Sequence, residues 1–150
     1  MKLAKAIQKA KRVFICGNGG SAANALHIAN DLISVGVRAQ ALTGDVATLT
    51  AIANDDSYVS VFSRQLEVLG CAGDLLVALS GSGRSPNILQ ALQKAKELGM
   101  DTWALLGDFN EEMPAAKIAK HTLKWGRDMQ EAEEKQIYLG HRVMKWLKDS

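Results

Sequence analysis

A short apolar run that ends in a glycine-rich turn occurs twice in this chain and constrains its fold more than any other feature. Residues 13–21 read VFICGNGGS, and residues 75–86 read LLVALSGSGRSP. Each apolar run predicts a buried strand, and an amphipathic helix follows each turn. Bare glycines admit an anion close to the backbone, and a helix start offers free N–H groups. The two turns together predict one site for a phosphorylated ligand.

The rest of the pattern predicts an α/β fold in a single domain over residues 1–150. The predicted strands lie at residues 12–16, 37–42, 74–79, 100–106 and 120–125. The predicted helices lie at residues 1–11, 21–35, 45–53, 58–69, 86–98 and 127–148, and residues 110–119 are predicted to hold a short helix around Pro114. Such alternation is typical of βαβ units, with a parallel sheet between helices. Ser21 and Asp45 are the predicted N-caps of their helices.

Composition and charge exclude several classes of protein. A formal net charge of +2 argues against a nucleic-acid partner. No apolar run approaches the roughly 20 residues of a membrane span, and the first 12 residues lack the apolar centre of a signal peptide. Cys16 and Cys71 have neither metal nor redox spacing, so we expect both to be reduced core residues. These features favour a cytoplasmic protein without a membrane partner.

The first glycine-rich turn does not fit a nucleotide site. No Gly-Lys-Ser/Thr follows it, and the three-glycine spacing of a dinucleotide fold is absent. One such turn could be a plain strand-to-helix connection. The second, serine-rich turn favours a small phosphorylated molecule, with no nucleotide cofactor.

A histidine and a carboxylate share one face of the helix after the first turn. His27 and Asp31 lie four residues apart, so their side chains are neighbours. They could act as a base and its partner, or as two metal ligands. A surface hydrogen bond is the alternative.

The run CGNGGSAANALHIANDL at residues 16–32 resembles the sugar isomerase (SIS) domain family in its phosphoheptose isomerase branch. TAIAND at residues 50–55, FSRQ at 62–65, GDLL at 73–76 and SGSGRS at 80–85 fit the same branch. The resemblance implies a three-layer, flavodoxin-like fold with five parallel strands and a sugar-phosphate ligand. It also implies a homo-oligomer with sites where subunits meet. The family forms tetramers, and the short segment between residues 32 and 45 leaves a dimer open.

The resemblance assigns the phosphate to serines in the two turns and the sugar to nearby polar residues. Gly81 stands where the family usually has threonine, and Asp55 could equally be a simple turn residue. The residues assigned to the substrate are Asn18, Gly19, Gly20, Ser21, Asp55, Ser80, Gly81, Ser82, Ser85 and Gln130.

The resemblance is less complete at the residues that bind a metal ion in the family. The family binds zinc through a His and a Glu, with a Gln and a His from the C-terminal helix. Asp31 replaces the Glu, Gln130 matches the Gln, and Tyr138 stands where the family has its second His. The resemblance thus implies zinc, with His27, Asp31 and Gln130 as its ligands. His141 follows three residues after Tyr138 and points within about 20° of Gln130, roughly three helical turns away.

The expected activity is aldose–ketose isomerisation through an enediol, for example of sedoheptulose 7-phosphate. Asp31 is the candidate base, and His27 or His141 is the candidate acid. A second hypothesis is a SIS module without turnover that binds a sugar phosphate or a protein partner, as in regulators and in a replication-initiator-associated relative. A different isomerase or lyase reaction on the same loops is the third.

Overall fold

A five-stranded parallel sheet forms the centre of the molecule in the computed structural model, which describes residues 1–150. The strands are β1 Val13–Gly17, β2 Ala39–Ala41, β3 Leu75–Ser80, β4 Asp101–Leu106 and β5 His121–Lys124. Their spatial order is β2-β1-β3-β4-β5, and all neighbouring pairs are parallel. This order is that of the flavodoxin-like fold, which confirms the predicted fold class.

Seven helices cover the two faces of the sheet. They are α1 Lys2–Lys9, α2 Gly20–Ser34, α3 Val46–Asp55, α4 Ser63–Leu69, α5 Pro86–Glu97, α6 Pro114–Ile118 and α7 Met129–Lys148. The helix predicted at residues 58–69 is in fact a 3₁₀ turn, Tyr58–Ser60, followed by α4. None of the helices combines the length and apolarity that a bilayer span requires.

Alternate residues of the strands build two separate cores. Phe14, Leu76 and Leu106 pack with α4, α5 and α6 on one face. Ile15 and Val77 pack with α1, α2 and α7 on the other. All residues of β1 and β3 are buried, because helices cover both sides of these strands.

The start of α2 differs from the prediction. Gly19, at φ 57°, is the N-cap, whereas Ser21 lies inside the first turn and is 4% exposed. The left-handed backbone at Gly19 lets the helix begin one residue early. The predicted cap at Asp45 is confirmed, since its carboxylate accepts a hydrogen bond from the Thr48 N–H at 3.1 Å. The hydrogen bonds from Thr48 lower the pKa of the Asp45 carboxyl.

The two cysteines are free, as expected, but only one belongs to the core. Cys16 is buried in β1, and burial raises the pKa of its thiol to about 12. Cys71 is exposed, which corrects the prediction. It lies in the turn before β3, where its N–H donates to Asp74 Oδ2 at 3.0 Å.

Replacing Gly17 with alanine should destabilise the fold, because β1 ends directly against the first turn of α2. A Cβ at Gly17 would lie 2.7 Å from the carbonyl oxygen of Ser21 and 2.8 Å from its Cβ. Backbone cannot yield as a side chain can, so we expect a loss of roughly 1–3 kcal/mol in the free energy of unfolding. Urea denaturation measures it.

Gly44→Ala is the matched control, since its Cβ would approach only the side chain of Leu26, at 3.3 Å, and a carbonyl oxygen at 3.5 Å. Equal unfolding free energies for the two variants would contradict the close approach at Gly17.

Candidate functional site

The two Gly/Ser loops lie side by side at one edge of the sheet. β1 and β3 are neighbours, and Gly17 pairs with Leu79 at their carboxyl ends. The helices that follow diverge, because α2 packs on one face and α5 on the other. Such a switch point opens a crevice, and ligands of open α/β sheets bind there.

Two side-chain amides link the first loop to the start of α5, and Asn87 is buried whereas Asn18 is half-buried. Asn18 Nδ2 donates to Asn87 Oδ1 at 2.8 Å, and Asn87 Nδ2 donates back to Asn18 Oδ1 at 2.8 Å. The Tyr58 hydroxyl donates to the same Asn18 oxygen at 2.8 Å. Sequence reasoning assigned Asn18 to the sugar and missed its two partners. The side chain of Asn18 therefore ties the first loop to the start of α5, directly after the second loop.

The O–H protons of the loop serines are not used by any acceptor in the protein. Three of them accept a hydrogen bond from the protein: Ser21 from Gln136 Nε2 at 3.1 Å, Ser80 from the Gly83 N–H at 3.1 Å, and Ser82 from the Arg84 N–H at 3.2 Å. None of the three donates to a protein acceptor. Ser85 is the N-cap of α5 and makes no side-chain capping bond. Four O–H donors thus remain that could donate to the oxygens of an anion.

Helix α7 covers the glycines of both loops. A Cβ on Gly20 would overlap the carboxylate of Glu133, and one on Gly81 would overlap the sulfur of Met129. Met129 therefore occupies the space that a side chain at position 81, such as the family's threonine, would need. Sequence reasoning missed Glu133 because nothing local shows which α7 residue faces the first loop.

His27, Asp31 and His141 form a compact cluster between α2 and α7. The Nε2 atoms of the two histidines are 2.9 Å apart. Asp31 Oδ2 lies 3.3 Å from His27 Nε2 and 3.6 Å from His141 Nε2. The Asp31 side chain is 14% exposed, against 48% and 52% for the histidines.

The cluster fits a zinc ion. Asp31 Oδ2 is buried and has no hydrogen-bond partner. The two facing nitrogens need a single proton or a cation between them. The three separations lie around the value of about 3.3 Å expected between ligands of tetrahedral zinc.

The structure does not bring the predicted glutamine to this cluster. Gln130 is exposed in the first turn of α7 and, eleven residues from His141, lies about 16 Å away along the axis. Within one chain the residue that joins His27 and Asp31 is therefore His141 and not Gln130. Tyr138 is 51% exposed and packs edge-to-face on Trp125.

Asp55 remains outside the contacts just described. It is exposed at the end of α3, and its Oδ1 accepts a hydrogen bond from Asn54 Nδ2 at 2.9 Å. It lines a surface cavity to which neither loop contributes. Its predicted role at the sugar stays a prediction.

Cys16 and Glu131 have shifted pKa values, and the causes of the two shifts differ. Cys16 directly precedes the first loop, and its raised pKa keeps the thiol protonated, so it is not a nucleophile. In the first turn of α7, the hydrogen bonds from Arg127 lower the pKa of Glu131 to about 2. That carboxylate therefore stays charged at the helix start, where the dipole favours it.

Comparison with known proteins shows the family of the chain. The SIS domain family matches residues 1–107. A phosphoheptose isomerase of Chlorobaculum parvum is 43% identical over 95% of this chain and 72% of its own length. The chain belongs to the SIS domain family, in its phosphoheptose isomerase branch.

The solved phosphoheptose isomerase of Neisseria gonorrhoeae has the same fold, with a TM-score of 0.90 and 34% identity over 99% of this chain and 82% of that one. A phosphoheptose isomerase of Desulfovibrio desulfuricans is 43% identical over 77% of this chain. The SIS chain described here spans 58% of the length of that relative.

Replacing His141 with alanine should weaken zinc binding by more than about tenfold, since even the loss of an outer partner of a zinc ligand costs 10–100-fold. Competition with a chromophoric chelator measures the affinity. His121→Ala is the control, because His121 stacks on Trp103 away from the cluster. Equal zinc affinity in the two variants would contradict the proposed ligand set.

Proposed function

We propose that this SIS protein is an aldose–ketose isomerase of a phosphorylated sugar, and that a seven-carbon sugar such as sedoheptulose 7-phosphate is its substrate. One observation carries the proposal. Two neighbouring loops present hydroxyl donors, and the helix that follows the first of them, α2, carries His27 and Asp31, which meet His141 of α7. The curated relatives named phosphoheptose isomerase support the same assignment.

The loops provide the phosphate end of the proposed site. The start of α2 and the start of α5 both face the crevice, and helix starts favour negative charge. The hydroxyls of Ser80, Ser82 and Ser85 would donate to the phosphate oxygens, together with Ser21. A phosphate held in this way fixes one end of the sugar.

The cluster provides the chemistry at the other end. His27 lies seven residues after Gly20, about 10 Å along α2. This spacing suits a sugar that holds its phosphate and its carbonyl group several carbons apart. The fixed phosphate would then place the reacting carbons beside Asp31.

The proposed reaction moves one proton between neighbouring carbons. Asp31 takes a proton from the carbon beside the carbonyl, while His27 or His141 gives one to the carbonyl oxygen, which yields an enediol. Asp31 then returns its proton to the other carbon, and the imidazole recovers a hydroxyl proton. A zinc ion held by these three residues would act as a Lewis acid toward the substrate oxygens in place of the imidazoles, whose Nε2 atoms would then be its ligands.

Replacing Asp31 with asparagine should abolish isomerisation of sedoheptulose 7-phosphate but leave its binding intact, because asparagine cannot accept the proton. Turnover and calorimetric binding, each with added zinc, measure the two effects. Full turnover in this variant would contradict the role of base.

Ser82→Ala is the matched variant, for which we expect weaker binding of the sugar phosphate. Loss of a hydrogen bond to a charged group should weaken sugar-phosphate binding by about 1–2 kcal/mol. Binding without turnover in the unaltered protein would instead support the hypothesis of a SIS module that only senses its ligand.

We also propose that the protein self-associates through the α3–α4 side. Six of the ten residues of α3 are apolar, yet none of them is buried. Val46 is 69% exposed and Val68, in α4, is 82% exposed. A second copy of the chain would cover these residues, as the family's oligomers suggest.

Val68→Lys should therefore lower the molar mass measured by light scattering, since an oligomer cannot bury an unpaired ammonium group without cost. Gln93→Lys, on the exposed face of α5, is the control. A monomeric unaltered protein, or an unchanged mass for Val68→Lys, would refute this interface.

A further inference from the structure

We propose that Gln136, on α7, is a positioning residue that turns the hydroxyl proton of Ser21 toward the bound anion. Gln136 is 3% exposed and Ser21 is 4% exposed, so neither side chain relies on water for its partners. The inference rests on the proposed function, because it concerns how the first loop holds a phosphate.

The carbonyl of Glu133 fixes the direction of the hydrogen bonds that lead to Ser21. The backbone carbonyl of Glu133 can only accept, and Asn24 Nδ2 donates to it at 3.0 Å. The same amide nitrogen donates to Gln136 Oε1 at 2.9 Å. Gln136 must therefore present its carbonyl oxygen to Asn24 and its Nε2 to Ser21, where the distance to Oγ is 3.1 Å.

The consequence for Ser21 follows from its donor and acceptor inventory. A hydroxyl has one proton and two lone pairs, and Gln136 occupies one lone pair. The proton thus points away from Gln136 and is left for another acceptor. Ser21 is the second residue of α2, so a serine there could also turn back to a main-chain carbonyl, but it makes no such bond.

Electrostatics add a reason for this arrangement. The carboxylate of Glu133 lies over Gly20, next to Ser21. A freely rotating hydroxyl would be drawn toward acceptors on α7 rather than toward a ligand. Donation from Gln136 removes that freedom, so the hydroxyl is oriented before the anion arrives and loses less entropy on binding.

The test is a double-mutant cycle with inorganic phosphate as the probe. Gln136→Met keeps the side-chain length but removes both hydrogen bonds, and we expect at least threefold weaker phosphate binding by calorimetry. In the Ser21→Ala background the same substitution should have no further effect, because there is no hydroxyl to orient. If Gln136→Met weakened phosphate binding by the same factor with Ser21 and with Ala at position 21, the proposal would be overturned.

Gln136→Glu keeps the shape of the side chain but replaces the donor that faces Ser21 with an acceptor. Its carboxylate would accept the Ser21 proton, so phosphate binding should weaken by more than in Gln136→Met. In the Ser21→Ala background only the effect of the added charge should remain, and an undiminished effect there would contradict the orienting role. This variant also keeps the test usable if the methionine variant does not fold.

Steady-state kinetics add a readout that a general structural defect would not give. Gln136→Met should raise KM for the sugar phosphate and leave kcat within about twofold, because Gln136 does not contact the reacting carbons. A fall in kcat at constant KM would overturn the proposal. Absence of phosphate binding by the unaltered protein would overturn the proposed function and this inference together. Phosphate binding that Gln136→Met leaves unchanged would overturn the inference alone.

Discussion

Parallel pairing of β1 with β3 is the interaction on which the whole site depends. The two strands pair from Val13 with Leu75 to Gly17 with Leu79, and every residue in them is buried. Their apolar side chains fix the register, because a slip by one residue would exchange the two cores. Register in turn decides that the two loops emerge side by side, while α2 and α5 pack on opposite faces of the sheet.

Helix α7 is the second structural requirement, since it contacts both halves of the candidate site. Its first residue, Met129, packs on Gly81, and Glu133 lies over the first loop. His141 joins the cluster on α2, about 18 Å further along the axis. One rigid helix therefore relates the phosphate loops to the acid–base cluster, and a change in its packing would disturb binding and chemistry together.

The sequence predicted the features that depend on neighbouring residues, namely buried strands and a helix cap. The apolar runs predicted β1 and β3, and Asp45 was a correct cap because its bond to Thr48 spans only three residues. The long-range contacts of α7 were not predictable in this way. Gln130 and His141 point in nearly the same direction by helical period, and only the packing of α7 on α2 shows which of them meets His27. Ser21 failed as a cap because Gly19 can adopt a left-handed backbone that few other residues tolerate.

The central claim is that the two loops form one anion site. A crystal structure of the protein grown with sedoheptulose 7-phosphate tests it most directly. We expect the phosphate between the two loops, with oxygens within hydrogen-bond distance of Ser21 and of the hydroxyls of Ser80, Ser82 and Ser85. A phosphate bound away from both loops, or contacting only one of them, would contradict the account.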